Sequence, residues 1–103
     1  MSLLGATEIR ELAAKLDLNP SKGLGQNFVI DGNVCQRIVR QVSISSDDVA
    51  LEIGPGLGSL TLAILEAGAP LIAVEIDARL AKQLPETVAI HNPNADVIVV
   101  NED

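Results

Sequence analysis

Three short runs of apolar residues, separated by segments with helical periodicity, constrain the fold of this chain more than any other feature. The runs cover residues 49–53, 71–75 and 96–100, and each is largely apolar on both faces of a strand. Such runs indicate parallel strands covered by helices on both sides of the sheet. Right-handed crossovers would place the strands in the order 3-2-1. We therefore predict an α/β chain with a partial doubly wound, Rossmann-like sheet.

The helices are predicted from apolar spacing and from capping residues. A helix over residues 59–67 follows the first run, and Pro85 is expected to interrupt the helix that follows the second. Before the sheet, Thr7 is predicted to cap one helix and Asp31 to cap another over residues 34–42. Three apolar residues of that second helix are expected to face the core: Val34, Ile38 and Val42.

The predicted sheet is incomplete. In a doubly wound fold a fourth strand lies beside strand one, and without it strand one has an unpaired edge. The sequence also ends at Asp103, without a helix after the third run. We therefore expect a fragment of a larger domain, with N-terminal helices and a loop in residues 1–46 and the first half of a Rossmann-like domain in residues 47–103. Self-association through the exposed edge is a further expectation.

Charge and cysteine content narrow the class of protein. The net charge is −7, and the acidic excess lies in residues 41–103, which hold ten acidic and two basic residues. A protein that binds nucleic acid needs a positively charged surface, so this chain alone is a poor candidate for nucleic-acid binding. One cysteine, Cys35, cannot form an internal disulfide and is expected to be a small, semi-buried residue on a helix. With no secretory or membrane-spanning segment, a cytoplasmic protein is expected.

The chemistry concentrates in the turn after the first strand, with glycine at positions 54, 56 and 58. Residues without a Cβ let a ligand approach the backbone, and the following helix offers free N–H groups. By itself, the glycine-rich turn is also explained without a ligand, because tight strand-to-helix turns need glycine for steric reasons. Glu75, at the end of the second strand and 19 residues after Gly56, is placed where such folds hold ribose hydroxyls. The pair predicts an adenosine-containing ligand.

The charge near the turn favours one such ligand. The glycines at 54, 56 and 58 depart from the Gly-x-Gly-x-x-Gly spacing of dinucleotide sites, and Glu52 adds negative charge where a pyrophosphate would lie. A ligand with cationic groups, such as S-adenosylmethionine, suits Glu52 better. Asp103 could accept a hydrogen bond from an adenine amino group; the equally weighted alternative is a solvated acidic residue in a loop. No metal site is predicted, and the single histidine, His91, is expected in a polar loop.

Three segments together resemble the ribosomal RNA adenine dimethyltransferase family, and Gly25-Gln26-Asn27-Phe28 is the specific one. The other two are the turn, within residues 51–61, and the second strand end, residues 73–77. The resemblance implies S-adenosylmethionine as cofactor. It places the family's cofactor contacts on Asn27, Val29, Gly54, Glu75 and Asp103, with Gln26, Gly56 and Leu57 beside them. Val29 stands where the family more often has leucine.

The resemblance also implies an activity: N6-dimethylation of two adjacent adenines near the 3′ end of small-subunit (16S) rRNA, late in assembly of the 30S subunit. The family's catalytic Asn-Leu-Pro-Tyr motif follows a fourth strand and does not occur in these 103 residues. The chain alone is therefore expected to be inactive. Three alternatives remain open: a nicotinamide-dependent oxidoreductase, a non-catalytic binding or assembly factor, and a large-subunit rRNA methyltransferase of the antibiotic-resistance type.

Overall fold

The computed structural model describes residues 2–18 and 31–103, which form four helices and three strands. In chain order these are α1 (Ala6–Lys15), α2 (Gly32–Gln41), β1 (Ala50–Ile53), α3 (Ser59–Glu66), β2 (Leu71–Val74), α4 (Ala78–His91) and β3 (Val97–Val100). Within these ranges, no helix is long and apolar enough to cross a membrane.

The strands form one parallel sheet in the order β1-β2-β3, as the sequence predicts. Leu51 of β1 lies opposite Ile72 of β2, which lies opposite Ile98 of β3. Because the strands are parallel and in this register, their carboxyl ends meet at one edge of the sheet. The glycine turn, Glu75 and the residues after β3 all start from that edge. The α/β fold class is confirmed.

Helices cover only one face of the sheet among the residues described. The two crossovers run in the same direction across the sheet, so their right-handedness places α3 and α4 on the same side. Alternate strand residues such as Leu71 and Ala73 are buried beneath these helices. On the opposite face, Leu51 is 66% and Ile98 57% exposed. The prediction of helices on both faces is therefore wrong for this chain.

The buried face of α2 also differs from the prediction. Cys35 and Val39 enter the core, whereas the predicted inward residues Val34, Ile38 and Val42 are exposed. Both stripes have helical spacing and are offset by one residue, so periodicity alone cannot choose between them. The choice is made by packing, because α2 lies against α3. Cys35 is a free thiol and is fully buried, deeper than the semi-buried position predicted for it.

Two helix features differ from the sequence-based expectations. The cap of α1 is Gly5, and Thr7 lies inside the helix, whereas Asp31 caps α2 as predicted through a hydrogen bond from the Asn33 N–H. Pro85 does not interrupt α4, which continues from Ala78 to His91. Leu84 and Val88, on either side of the exposed Pro85 position, are buried, and this packing offsets the lost backbone hydrogen bond.

His91 ends α4 and does not lie in a polar loop as predicted. Its Nδ1 lies 2.6 Å from the Ser2 hydroxyl, and its Nε2 lies 2.7 Å from a carboxylate oxygen of Glu8. The ring is almost completely buried between the N-terminal segment and α1. We therefore assign His91 to holding α1 against α4, at the end of α4 opposite the glycine turn.

Candidate cofactor-binding site

The turn between β1 and α3 is built on glycines with positive φ angles. Gly54 has φ +69° and Gly58 has φ +106°. A Cβ added to Gly54 would meet nothing within 4 Å, whereas one added to Gly58 would lie 2.8 Å from Cδ1 of Leu84. Gly58 is therefore required by packing and backbone conformation, while the space beside Gly54 is open to a ligand.

Glu75 joins the glycine turn to the end of β2. One carboxylate oxygen accepts a hydrogen bond from the Gly56 N–H at 3.1 Å, and the other accepts from the Asp77 N–H at 3.0 Å. The residue is only 4% exposed. Each carboxylate oxygen can accept a second hydrogen bond, so Glu75 can hold ribose hydroxyls without releasing the turn. The predicted pairing of Gly56 with Glu75 is thus observed as a direct contact.

Glu52 lies on the helix-covered face of β1, close to the turn. The Thr61 hydroxyl, on the fully buried Thr61 of α3, donates to a Glu52 carboxylate oxygen at 2.6 Å. Burial raises the pKa of Glu52 above its ordinary value, and the nearby Glu75 carboxylate raises it further, while the hydrogen bond from Thr61 opposes the rise. The hydrogen bond from Thr61 therefore only partly offsets the cost of burying the charged form of Glu52.

The electrostatic surroundings of the turn are negative. In the thiol of Cys35, burial raises the pKa, and the charges of Glu52 and Asp31 raise it further. Ion pairs among the described residues join Lys15 to Glu86, Arg79 to Asp77 and His91 to Glu8, and none of them involves Glu52 or Glu75. A cationic ligand would be stabilised here and a pyrophosphate repelled.

A polar atom without a partner lies at the start of α3. The Oγ of Ser59 is buried and forms no hydrogen bond with the residues that the structure describes, and Ser59 is 6% exposed. Unsatisfied buried hydroxyls are uncommon because desolvation without a partner costs about 1–3 kcal/mol. The first residue of a helix is also where backbone N–H groups are free. An open space beside Gly54, an orphaned hydroxyl and nearby carboxylates together fit a ligand with both polar and cationic groups.

The end of β3 is held to the end of β2 by Asn101. Its side-chain amide donates to the backbone carbonyl of Glu75 at 2.8 Å and to that of Ile76 at 3.1 Å. Asp103 follows two residues later and is exposed. Asn101, Thr61 and Ser59 were missed by the sequence analysis, because nothing in the sequence shows which partners their side chains meet.

The structure brings some predicted site residues together and leaves others untested. Gly54, Gly56 and Glu75 lie at one edge of the sheet, linked through the Gly56–Glu75 hydrogen bond. Asp103 lies beyond β3, on the side to which the strands' carboxyl ends point. Asn27 and Val29 lie outside the described residues. The cofactor contacts of all six residues stay predictions.

The raised pKa of Glu52 predicts a pH-dependent contribution to stability. A carboxyl whose pKa is higher in the folded than in the unfolded chain binds protons more tightly when folded, so stability falls as pH rises through the folded pKa. We expect Glu52→Gln to become progressively more stable than wild type as pH rises from 4 to 8, measured by urea unfolding. Glu102→Gln, which changes an exposed carboxylate, serves as control. A wild-type-like pH profile for Glu52→Gln would contradict the assignment.

Comparison with known proteins gives a consistent set of relatives. A family model described as "Ribosomal RNA adenine dimethylase" matches residues 18–103. The protein named "Ribosomal RNA small subunit methyltransferase A" of Corynebacterium jeikeium is 58% identical over 102 residues, covering 98% of this chain and 32% of its own length. The protein of the same name from Mycobacterium bovis is 54% identical over 103 residues, covering 98% and 32%. The chain thus spans about a third of the length of these relatives.

Two solved structures share the fold. The 23S rRNA methyltransferase ErmE superimposes with a TM-score of 0.61 at 38% identity, over 72% of this chain and 29% of its own. A candidate S-adenosyl-L-methionine-dependent methyltransferase from Methanococcus maripaludis gives the same TM-score at 16% identity, over 100% of this chain and 46% of its own. At that identity the second match shows the fold alone. The Rossmann-like methyltransferase architecture is therefore confirmed.

Proposed function

Because this chain belongs to the ribosomal RNA adenine dimethylase family, we propose that it is the cofactor-binding part of an rRNA adenine N6-dimethyltransferase. The observation that carries the proposal is the Glu75 carboxylate, which accepts a hydrogen bond from the Gly56 N–H in the glycine turn. In this proposal the Glu75 carboxylate is the acceptor for the ribose hydroxyls, and the space beside Gly54 supports it because a ligand can enter there.

Each part of S-adenosylmethionine has a proposed partner in this chain. The ribose hydroxyls donate to Glu75, the adenine amino group donates to Asp103, and the methionine end lies against Gly54 and Gly56. The exposed Ile76, directly after Glu75, offers an apolar surface beside the adenosine. The segment with Asn27 and Val29 is proposed to cover the donor, on the strength of the family resemblance.

The residues described here bind and orient the donor; they do not act on the target base. Bound in this site, S-adenosylmethionine would supply an electrophilic methyl group, and its sulfur would keep the bonding electron pair as a neutral thioether. The adenine N6 gains the methyl group and loses a proton. Glu75 and the turn contribute by holding the donor in one orientation, which lowers the entropic part of the barrier.

The chain alone is proposed to be inactive, because these 103 residues contain no Asn-Leu-Pro-Tyr motif to hold the target amino group. We expect no N6,N6-dimethyladenine after incubation of the chain, S-adenosylmethionine and undermethylated 30S subunits, as measured by mass spectrometry of digested rRNA. A longer relative tested alongside should give dimethyladenine. Methylation by the chain alone would overturn the proposed division of roles.

Small-subunit rRNA in the assembling 30S subunit is the proposed substrate of the longer protein, which places the reaction in the cytoplasm. The support is the name shared by the relatives at 54–58% identity. A large-subunit enzyme is the alternative with specific support, because ErmE matches at 38% identity over 72% of the chain. The methyl position in rRNA distinguishes the two. A non-catalytic assembly factor would give neither product.

The isolated chain is also proposed to self-associate through the free edge of β1. Among the described residues that strand has one paired neighbour, β2, and its outward residues Leu51 and Ile53 are exposed. An unpaired edge beside apolar side chains is a template for pairing with a second copy. We expect dimers or larger species in sedimentation velocity at tens of micromolar protein, and mostly monomer for Ile53→Lys. Ile90→Lys changes an equally exposed residue on α4 and should behave like wild type. A monodisperse wild-type monomer would contradict this proposal.

A further inference from the structure

A methyl donor and its spent product differ in one positive charge. S-adenosylmethionine carries a sulfonium, whereas the product S-adenosylhomocysteine carries a neutral thioether and keeps the same adenosine, ammonium and carboxylate. A site can favour the donor over the product through contacts with the transferred methyl group or through a group that interacts with the charge on sulfur. A carboxylate near the sulfur would do so.

Glu52 is placed for this interaction. It lies in β1 two residues before Gly54, and β1 is the neighbour of β2, the strand that ends beside Glu75. The sulfur of the donor is bonded to the 5′ carbon of the ribose. If Glu75 holds the ribose, the sulfur therefore lies towards the adjacent end of β1, where the turn begins. This step rests on the proposed cofactor site.

The Glu52 carboxylate is held in place but not neutralised. Thr61 donates to one oxygen at 2.6 Å, and among residues 2–18 and 31–103 no side chain or backbone group donates to the other. Within the same ranges, the titratable groups that interact with it are the carboxylate of Glu75 and the thiol of Cys35, and Asp31 lies beyond that thiol. All of them are acidic, so no described group among them offsets its charge. Its partial burial also limits screening by salt.

We propose that Glu52 is a specificity-determining residue, whose carboxylate makes this site prefer the sulfonium donor to the thioether product. This preference for the donor would promote release of the product after each methyl transfer. Loss of the positive charge removes the attraction to Glu52, so the product leaves and a fresh donor replaces it. An enzyme that adds two methyl groups to each adenine needs this exchange between successive transfers.

The test is the ratio of two dissociation constants, measured by calorimetric titration of S-adenosylmethionine and S-adenosylhomocysteine into the wild-type chain and Glu52→Gln. We expect the preference for the donor to fall roughly tenfold in Glu52→Gln, which corresponds to one charge pair in partly screened surroundings. Affinity for the product should change little. Glu102→Gln removes the same charge from an exposed position after β3 and should leave the ratio unchanged.

A second measurement needs no variant. Lowering the pH in the wild-type chain should reduce the donor preference, because burial raises the pKa of Glu52 and this carboxyl therefore loses its charge at a higher pH than an ordinary glutamate. Titration of the groups that both ligands carry affects both dissociation constants equally, so it cancels in the ratio of the two constants. If both ligands bind and the ratio changes with neither pH nor substitution, the role of Glu52 is wrong and the cofactor site stands. If a folded wild-type chain binds neither ligand, the cofactor site itself is wrong, and the role of Glu52 falls with it.

Discussion

Gly58→Ala should lower the free energy of unfolding by about 2–4 kcal/mol, the largest stability effect expected from one methyl group in this chain. Two costs add. Gly58 has φ +106°, a conformation that residues with a Cβ rarely adopt. The new Cβ would also lie 2.8 Å from Cδ1 of Leu84, a side chain that is 1% exposed and packed in the core. The clash therefore requires the Leu84 side chain, α4 or the turn to shift.

Gly54→Ala separates these two costs. Gly54 also has a positive φ, +69°, but its added Cβ would meet nothing within 4 Å. This variant should lose only the backbone part, about 1 kcal/mol. Urea unfolding of the wild type and both variants, without ligand, gives the comparison. Equal losses in the two variants would show that the contact between the turn and Leu84 is not as described.

Glu75→Ala should weaken S-adenosylmethionine binding by at least about 100-fold. Two hydroxyls donating to a carboxylate contribute about 1.5–3 kcal/mol each, and about 1.4 kcal/mol corresponds to a tenfold change in affinity. The substitution also removes the acceptor that positions the Gly56 N–H and the Asp77 N–H. Both effects act in the same direction, so the loss should exceed that of any other single substitution in the site.

The control for Glu75→Ala is Glu102→Ala, which removes the same charge from an exposed position after β3. Its affinity should stay within about twofold of wild type, because an exposed charge is strongly screened. Circular dichroism should show that Glu75→Ala remains folded. If a folded Glu75→Ala chain binds S-adenosylmethionine like wild type, Glu75 does not hold the cofactor.

The sheet and the position of the site could be predicted because their signals are local. Short apolar runs fix the strands to within a residue, and parallel strands bring their carboxyl ends to one edge. Gly56 and Glu75, 19 residues apart, could be paired from this topology alone, and they form a hydrogen bond. The glycine spacing and Glu52 already indicated a cationic ligand over a pyrophosphate.

Features decided by tertiary packing could not be predicted. In α2, two apolar stripes compete, and contact with α3 selects the one with Cys35 and Val39. In α4, buried residues on both sides of Pro85 keep one continuous helix. A sequence pattern records which faces can be buried, but neighbouring elements decide which one is.

The polar contacts of the site were missed for the same reason. Thr61 and Asn101 have no special spacing, yet one holds Glu52 and the other ties β3 to the backbone of Glu75. The buried, unpartnered hydroxyl of Ser59 is visible only once α3 is packed. Side chains that position other side chains leave little trace in a single sequence, because a serine, threonine or asparagine is ordinary at most exposed positions.

The most direct test of the central claim is a calorimetric titration of S-adenosylmethionine into the wild-type chain, with NAD titrated separately. We expect saturable binding of S-adenosylmethionine and no detectable binding of NAD, because the turn is flanked by the carboxylates of Glu52 and Glu75 and the described residues place no basic partner on either. Binding of NAD in preference to S-adenosylmethionine, or binding of neither by a folded chain, would contradict it.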